Sequence, residues 1–585
     1  MKQERSKVKS DILLRVRLLY VLFILAGAIV LARLVWVQLF SAEVAYNADR
    51  LASRIFTEEV IPAQRGSILS RDGEPLATSI FRYQAAFDFA SPGLDSLKTF
   101  REQADSLAKL LAAFFRDKPA SAYAKRFREE HARRYRLVNP RDTSYLRSEG
   151  WISRMMDRMR GEEYVKRRIY DTIRDHTPVN IFPREVDFAE WETLRRYPLL
   201  NWNMGMVYRL IERDERIYPQ GELARRTIGL TGDKGNYGIE EAYREELAGR
   251  DGKALRQRIA RGFYGRVAGG DHEDPVDGFD IVTTLDLDLQ DVADKALRRQ
   301  LEAQNALWGT TIVMEVHTGE ILAMVNLGRN ADGSFAEREN YALGRSMEPG
   351  STFKLVQGLI GLQEGVLTPA DRYSCNGGFR YGHRMMKCHA HASPLDLRGA
   401  VANSCNAYFC YVFRDILDNP KYGSVKEGYD VWKQYVESFG FGRKLGSDFL
   451  DEGNGYVPDR AYYDRQYRGS WNSLTVLSLS IGQDALGCTP LQLANLACIV
   501  ANRGYYYIPH IVKKIEGQDS LDARFYERHY TMVEPKHFEP IVEGMWRGVN
   551  VGGTSTRARL EGLDVCGKTG TAENPRGRDH STFLS

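Results

Sequence analysis

Ser351 and Lys354 are the residues of this sequence whose types and spacing most directly suggest covalent chemistry. The apolar positions after Pro349-Gly350 recur at helical spacing, which predicts that Ser351 lies at the start of a buried helix. Residues at i and i+3 share a helix face, so the Lys354 amine can approach the Ser351 hydroxyl. Burial lowers the pKa of a lysine, and a neutral amine can act as a base. The pair therefore predicts an activated nucleophile, although a serine that merely caps a helix fits the same residues.

Two later stretches supply groups that such a nucleophile needs. Ser404-Cys405-Asn406 comes first, and Lys568-Thr569-Gly570-Thr571 follows near the end of the chain. In this order, Ser-x-x-Lys, Ser-x-Asn and Lys-Thr-Gly are the signature of penicillin-binding proteins and class A β-lactamases. The chain therefore resembles the serine acyltransferases that penicillin inhibits.

This resemblance implies a peptidoglycan D,D-transpeptidase of bacterial cell-wall synthesis that β-lactams inhibit. Ser351 would attack the carbonyl between the two terminal D-alanines of a stem peptide, release D-alanine and form an acyl-enzyme, which an amine of a neighbouring stem then takes. Lys354 would be the base for acylation, and Ser404 would pass the proton to the leaving nitrogen. Asn406 would orient either the substrate backbone or Lys354.

The third motif is expected to bind the substrate. Lys568 and the hydroxyls of Thr569 and Thr571 would bind its terminal carboxylate, while Gly570 would let it lie along the strand as an added strand. The backbone N–H groups of Ser351 and Thr571 would form the oxyanion hole. No cofactor is expected for this catalysis.

Other functions share the three motifs. A β-lactamase or an acylated β-lactam sensor is disfavoured because the sequence shows no Glu-x-x-x-Asn hydrolytic motif and has a large membrane-side domain. A D,D-carboxypeptidase would pass the acyl group to water instead of an amine. A noncatalytic scaffold of the wall-synthesis complex would be expected to lose Ser351 or Lys354, and both are present.

An N-terminal apolar segment predicts a membrane anchor. The run from Leu18 to Ala32 is uncharged, and apolar residues continue after Arg33 to Phe40, which gives roughly the twenty residues of a spanning helix. The run is long and no small-x-small cleavage site closes it, so a retained anchor at 18–40 is favoured over a signal peptide. Basic residues in the tail 1–17 predict that it is cytoplasmic and that the catalytic domain is periplasmic, on a single-pass inner-membrane protein.

Length and charge limit the remaining possibilities. A chain of 585 residues is too long for one hydrophobic core. Its 81 basic and 77 acidic residues nearly balance, so the totals give no electrostatic case for a nucleic-acid partner. We therefore expect no nucleic acid.

Further motifs resemble class B penicillin-binding proteins. They are Arg65-Gly66-Ser67-Ile68, Arg216-x-Tyr218-Pro219-x-Gly221 and Gly238-Ile239-Glu240. The resemblance assigns 41–280 to an elongated pedestal, or dimerisation, domain of mostly β and α+β structure. Residues 281–585 mix helices with strands, including a hairpin expected where His317 to Glu320 turns one β-rich run back into the next. This mixture predicts an α/β multidomain protein whose transpeptidase domain is a sandwich with an antiparallel sheet.

The two halves of the chain resemble different members of this class. Up to about residue 345 the chain looks most like the division-specific enzyme of the Bacteroidota type, and from Leu355 onward it looks more like the elongation-specific one. Nothing resembles a glycosyltransferase domain, so the expected partner is a SEDS-type glycosyltransferase of a septal or lateral-wall complex with its other division or elongation proteins. The anchor and the 41–280 domain would bind it.

Metal-ligating residues surround the second motif, between Asp371 and Cys405. A structural zinc site needs four ligands, and Asp371, Cys388, His391 and Cys405 are the expected set, partly because elongation-type relatives look able to bind zinc here. Cys405 lies between two residues that face the active site and would itself face away. A disulfide between Cys375 and Cys388 is the alternative, and the odd count of seven cysteines leaves at least one unpaired in that case.

The end of the chain carries a final expectation. Val565 to Thr571 should form the strand beside the active site, and a polar loop from Ala572 to His580 should lead into a partner strand at Ser581 to Leu584. Family members continue with further strand and a C-terminal helix. We therefore expect an incomplete transpeptidase domain with an exposed sheet edge and reduced activity.

Overall fold

The computed structural model describes residues 2–40, 56–87, 89, 97–134, 179–200, 208–231, 235–260, 263–266, 272–572 and 579–585. The first part of the predicted pedestal domain, residues 41–55, and most of the polar loop before the last strand, residues 573–578, lie outside these ranges.

The N-terminal helix Lys2–Phe40 contains the predicted anchor. Its segment Leu13–Trp36 is apolar and long enough to cross a membrane, and its side chains are exposed throughout. Within the described residues it is the only helix with these properties. The segment overlaps the predicted anchor 18–40 but begins earlier, because Leu13, Leu14 and Val16 extend the apolar run past Arg15 and Arg17.

The chain forms two compact units that interleave along the sequence. The first consists of 1–63, 80–215 and 250–276, and the second consists of 64–79, 216–249 and 277–585. The region predicted as the pedestal domain, 41–280, contributes segments to both units, and its boundaries stay a prediction. Two of its segments, 64–79 and 216–249, pack with the catalytic part of the chain.

The first unit combines an antiparallel sheet with a helical core. Strand Gly252–Ala260 pairs with Phe56–Ile61, Phe263–Arg266 and His272–Glu273. The end of strand Pro75–Phe87 pairs with Val179–Asn180. Aromatic side chains such as Phe89 and Trp191 fill a separate core between the helices. These helices are Leu97–Phe115, Ala120–Arg134 and Phe188–Leu194; strand Tyr208–Ile217 pairs with Pro75–Phe87.

The second unit contains the large hydrophobic core and several small sheets. Strands Trp308–Met314 and Ile321–Arg329 form an antiparallel hairpin, with Phe335–Ala336 at its edge, which confirms the predicted turn at His317 to Glu320. The other strands of this unit are Ile68–Leu69, Ile281–Thr283, Gly378–Tyr381, Arg384–Lys387, Tyr505–Tyr506, Val512–Ile515, His529–Tyr530, Lys568–Ala572 and His580–Leu584.

Helices cover these sheets, and the central one is Lys354–Gln363, which is buried along nearly its whole length. Its two glycines allow close packing, since a Cβ at Gly358 or Gly361 would lie less than 3 Å from Ile541 or Val412. The other helices of the unit are Arg225–Ile228, Ile239–Ala242, Arg244–Ala248, Leu287–Ala303, Tyr341–Gly344, Leu397–Ala402, Asn406–Leu417, Val425–Ser438, Arg460–Gln466, Pro490–Ala501 and Glu539–Asn550. The mixture of helices and antiparallel strands is the predicted α/β arrangement.

A buried ion-pair cluster joins the three motifs that precede the catalytic residues. The Glu240 side chain is fully buried and accepts from Arg65 Nη2 and from Arg216 Nε, each at 2.7 Å. Arg216 also donates to the Gly66 carbonyl oxygen. Removing one partner of such a cluster would leave a buried charge uncompensated, so these separated segments stabilise one another.

Candidate active site

Ser351 lies in a short 3-10 turn, Gly350–Phe353, that leads directly into helix Lys354–Gln363. We call Gly350–Phe353 the nucleophile turn. The side chain of Ser351 is partly exposed, whereas Thr352, Phe353 and Lys354 are buried. This confirms the predicted position of the serine at the start of a buried helix and leaves its hydroxyl accessible to a substrate.

Lys354 is fully buried and forms hydrogen bonds with the second motif. Its Nζ donates to the Ser404 carbonyl oxygen at 2.7 Å, to Ser404 Oγ at 3.3 Å and to Asn406 Oδ1. Burial lowers the pKa of Lys354 to about 8, while nearby thiols act in the opposite direction. Its hydrogen bonds in the described residues run to the second motif and not to Ser351. The geometry thus places a lysine that readily becomes neutral one turn from the serine.

The second motif follows the short helix Leu397–Ala402 and begins the next one. Ser404 adopts a left-handed backbone conformation with a φ of 52°, which is uncommon for a non-glycine residue. Helix Asn406–Leu417 starts immediately after it. The sharp reversal directs Ser404 Oγ and Asn406 Oδ1 toward the same amine. Asn406 Nδ2 donates to the Lys387 carbonyl oxygen at 2.7 Å, which fixes the amide.

Lys568 contacts the second motif, and its expected role in binding the substrate carboxylate stays a prediction. Its side chain is buried, and Nζ donates to Ser404 Oγ at 2.9 Å and to the Thr569 carbonyl oxygen at 2.7 Å. Burial holds its pKa well below the usual range, and the charge of Lys354 adds to this effect. Ser404 Oγ therefore lies between two lysine amines. The Lys568 amine thus contacts the second motif directly.

The third motif lies on strand Lys568–Ala572, which pairs antiparallel with His580–Leu584. We call Lys568–Ala572 the third-motif strand. Its start at Lys568 is three residues later than predicted, and its partner begins one residue earlier. Lys568, Gly570 and Ala572 face the interior, while Thr569 is half-buried and Thr571 is exposed. The two threonine hydroxyls are thus the groups of this motif on the accessible face.

Two glycines bring the nucleophile turn against this strand. A Cβ at Gly350 would lie 2.5 Å from the Thr571 carbonyl oxygen, and Gly350 has a φ of 56°. A Cβ at Gly570 would lie 2.2 Å from Thr582 Oγ1 and 2.9 Å from Thr352 Cγ2. Distances below 3 Å admit no side chain. Gly570 is therefore required by packing against the protein itself, in addition to any role toward the substrate.

A cluster of sulfur and imidazole ligands lies beside the second motif. It consists of Cys375, Cys388, His391 and Cys405, whose ligand atoms all lie within 4.8 Å of one another. The Ala407 N–H donates to Cys388 Sγ at 3.2 Å, and the Tyr408 N–H to Cys405 Sγ at 3.4 Å, so both sulfurs lie at the N-terminus of helix Asn406–Leu417. These four residues could hold a metal ion.

The imidazole in this cluster fits a ligand role. His391 Nδ1 is 2.7 Å from the Ala392 carbonyl oxygen, which can only accept, so Nδ1 carries the proton. Nε2 then offers its lone pair, and this buried atom makes no hydrogen bond within the described residues. The hydrogen bond from Cys405 lowers the pKa of the Cys388 thiol, so the cluster already favours one thiolate. Three sulfurs and one imidazole form a donor set typical of structural zinc sites.

The expected ligand set is corrected at one position. Asp371 is not part of the cluster, because its carboxylate turns back and accepts from the Thr368 N–H at 2.7 Å. Cys375 takes its place. The pairing of strands Gly378–Tyr381 and Arg384–Lys387 brings Cys375 and Cys388 together, and Cys388 N–H donates to the Gly377 carbonyl oxygen. All seven cysteines are free thiols in the structure, without the alternative Cys375–Cys388 disulfide.

Ser351 starts a buried helix, and the hydroxyl of a second serine, Ser404, contacts one lysine from the first motif and one from the third. This combination defines the class of active-site-serine acyltransferases. The comparison with protein families agrees. Residues 60–283 match the penicillin-binding protein dimerisation domain, and residues 309–583 match the penicillin-binding protein transpeptidase domain. The chain therefore belongs to the class B penicillin-binding proteins, in which these two domains occur together.

The chain matches curated relatives of several different names at similar sequence identities. The chain is 27% identical over 409 residues to the peptidoglycan D,D-transpeptidase MrdA of Acinetobacter baumannii, and the aligned region covers 61% of this chain and 56% of the relative. It is 27% identical over 387 residues to FtsI of Escherichia coli, covering 64% and 60%. PbpC of Pseudomonas aeruginosa, a probable transpeptidase, is 24% identical over 582 residues, covering 96% and 85%. The chain thus spans little more than half the length of the first two.

Solved structures share the fold. A peptidoglycan synthase complex that coordinates polymerization and crosslinking contains a chain with a TM-score of 0.60 at 23% identity, covering 96% of this chain and 89% of that one. The complex between PBP2 and MreC from Helicobacter pylori gives a TM-score of 0.59 at 19% identity, covering 90% and 92%. At these identities the similarity shows the fold alone.

Proposed function

We propose that this protein is a peptidoglycan D,D-transpeptidase that cross-links stem peptides through an acyl-enzyme on Ser351. One observation carries the proposal: Ser404 Oγ lies 3.3 Å from Lys354 Nζ and 2.9 Å from Lys568 Nζ, so all three motifs meet at the helix that begins beside Ser351. Such an arrangement provides a nucleophile, a base and a proton relay in one place.

The proton path follows from these contacts. Lys354 in its neutral form takes the proton from Ser351 as the serine attacks the carbonyl, and Asn406 holds the amine in position. Ser404 then passes a proton from the lysine pair to the leaving nitrogen of D-alanine. The same path runs in reverse when the amine of a second stem attacks the acyl group. The N–H groups of Ser351 and Thr571 would bind the oxyanion, each contributing about 3 to 4 kcal/mol.

Carboxylate binding falls to the exposed face of the third-motif strand. Thr569 and Thr571 present hydroxyl groups there, and the Lys568 amine donates to the Thr569 carbonyl oxygen. This refines the expected role of Lys568, because its amine bonds Ser404. A β-lactam would use the same hydroxyls for its own carboxylate.

We further propose that Cys375, Cys388, His391 and Cys405 bind a structural zinc ion. The ion would fix helix Asn406–Leu417 at its N-terminus, because Cys405 lies between Ser404 and Asn406 and Cys388 contacts the N–H of Ala407. No catalytic step depends on it. Its role would be to hold the second motif in place.

The location and partners are also proposals. Leu13–Trp36 would anchor the chain in the inner membrane, with the catalytic domain in the periplasm. The solved peptidoglycan synthase complex, which coordinates polymerization and crosslinking, supports a polymerising partner. We propose that this partner is a SEDS-type glycosyltransferase bound through the anchor and the 41–280 region. The division-type resemblance of the N-terminal half favours a septal complex. A fluorescent fusion should therefore locate at the septum, and exclusive labelling of the side wall would assign the lateral-wall complex instead.

Labelled penicillin tests the proposed chemistry. The full-length chain should form a covalent adduct that mass spectrometry maps to Ser351, and Ser351→Ala should abolish it. Ser478→Ala, a serine elsewhere in the same domain, is the matched control and should label normally. With two stem peptides as substrates, a cross-linked product identifies a transpeptidase, whereas free D-alanine with a shortened peptide alone identifies a carboxypeptidase. An adduct on another residue would contradict the assignment of Ser351.

A further inference from the structure

Thr554 lies where the second and third motifs approach each other, although no sequence motif marks it. Its backbone N–H donates to the Ala402 carbonyl oxygen at 3.0 Å. Ala402 ends helix Leu397–Ala402, two residues before Ser404. The last carbonyls of a helix have no partner within it, so Thr554 satisfies one of them directly beside the catalytic loop.

The backbone before Thr554 runs so close to the two neighbouring helices that only a glycine fits at position 553. A Cβ at Gly553 would lie 2.5 Å from the Ala402 carbonyl oxygen and 2.6 Å from Gly548 Cα, and both are backbone atoms that cannot move aside easily. The Ser555 N–H donates to the Gly548 carbonyl oxygen at 3.0 Å, which holds the other side of the segment. Residues 553–555 are therefore fixed between helix Leu397–Ala402 and helix Glu539–Asn550.

The side chain of Thr554 reaches the third-motif strand. Its Oγ1 lies 3.0 Å from Thr569 Oγ1, and both side chains are accessible to solvent. Oγ1 also lies 3.4 Å from the Ala402 carbonyl oxygen, a longer contact to an acceptor that the Thr554 N–H already satisfies. The single hydroxyl proton of Thr554 is therefore better directed at Thr569 Oγ1.

The direction of the Thr554 hydroxyl proton affects how Thr569 can bind a substrate. Once Thr569 Oγ1 accepts from Thr554, its own proton is free to point outward. A carboxylate placed against the strand then receives a hydrogen bond from Thr569, and the two hydroxyls in series strengthen that bond by polarising each other. Without Thr554, the Thr569 hydroxyl can rotate away from the substrate.

We propose that Thr554 is a positioning residue that orients the Thr569 hydroxyl toward the terminal carboxylate of the substrate. The inference rests on the proposed transpeptidase function and on Thr569 as a carboxylate-binding group. It assigns to Thr554 a role in the preference for ligands that carry a carboxylate, separate from the proton path through Lys354 and Ser404.

Two probes that differ only at the carboxylate test this role. Benzylpenicillin and its methyl ester are reacted with the full-length chain, and the second-order acylation rate constant is measured for wild type, Thr554→Val and Thr554→Ser. Valine keeps the shape and the backbone N–H but removes the hydroxyl. Thr554→Val should slow acylation by the acid about tenfold, the effect of one lost hydrogen bond, and acylation by the ester less than about twofold. Thr554→Ser should restore the wild-type rate with the acid.

The outcomes separate the possibilities. Equal losses with acid and ester, or no loss with either, would overturn the proposed role of Thr554. A melting temperature of Thr554→Val within a few degrees of wild type shows that folding is not the cause. If Thr554→Val does not fold, the acid-to-ester ratio of Thr554→Ser against wild type still decides, because an unchanged ratio is required. Wild-type protein that reacts with neither compound would contradict the proposed function itself.

Discussion

Gly350 and the Thr571 carbonyl oxygen lie so close that no side chain fits at position 350. A Cβ there would be 2.5 Å from that oxygen, and the backbone φ of 56° is itself unfavourable for any residue except glycine. The nucleophile turn and the third-motif strand thus contact each other directly. The position of Ser351 relative to the carboxylate-binding face depends on this contact.

Gly350→Ala should therefore slow acylation by penicillin at least about tenfold, because a displacement of the nucleophile of about 1 Å is costly to catalysis. Gly365→Ala is the control. Gly365 also has a positive φ, of 71°, but no atom lies within 4 Å of its Cβ position. Gly365→Ala should lose about 1 kcal/mol of stability from backbone strain while the acylation rate stays unchanged. Similar acylation rates for the two variants would show that the contact with Thr571 is unimportant.

Acylation should depend on pH through Lys354. Burial lowers the pKa of this lysine to about 8, and only the neutral amine accepts the Ser351 proton. Below that pH the protonated form dominates, so the acylation rate should rise about tenfold per pH unit and level off above it. Stopped-flow measurement of penicillin acylation across this range tests the sign. A rate that is flat or falls as the pH rises toward 8 would exclude Lys354 as the base.

Metal content should follow the corrected ligand set. Anaerobically purified protein should contain about one zinc per chain, as a single four-ligand site requires. Cys388→Ser should lose the metal, melt at a lower temperature and acylate more slowly. Cys566 is a partly buried cysteine outside the cluster, so Cys566→Ser should keep the zinc, the melting temperature and the acylation rate of wild type. Protein without zinc, in which peptide mapping finds a Cys375–Cys388 bridge, would establish the disulfide instead.

Asp371 provides a separate test of that set. Its carboxylate accepts from the Thr368 N–H, so Asp371→Asn should keep zinc and lose only the small contribution of one hydrogen bond, about 1 kcal/mol. Cys375→Ser should release the metal. Loss of zinc from Asp371→Asn with retention in Cys375→Ser would restore the ligand set expected from the sequence.

The buried carboxylate of Glu240 should be among the most important groups for stability. Glu240→Ala leaves Arg65 and Arg216 partly buried without their counter-ion, which should cost about 3 to 5 kcal/mol. Glu245→Ala, an exposed neighbour on the next short helix, should change stability by less than about 0.5 kcal/mol. Chemical denaturation compares the two. A small effect at Glu240 would mean that the cluster contributes little net energy.

Local chemistry made much of this protein predictable from its sequence. Ser351 and Lys354 are one turn apart, so a helical pattern alone places them together, and the apolar run near the N-terminus needs only its length and composition to predict an anchor. The hairpin at His317 to Glu320 follows from a turn between two β-rich runs. In each case the interacting residues are neighbours in sequence.

Contacts between distant segments were decided only by the tertiary structure. Folding brings the Lys568 amine to Ser404, and the pairing of two short strands places Cys375, and not Asp371, in the ligand cluster. Thr554 gains its role solely from the close approach of three segments, and Gly553 is the only trace of it in the sequence. Spacing along the chain determines which groups can share a helix face. It does not determine which way a buried side chain turns among alternative partners, because that depends on packing of the whole domain.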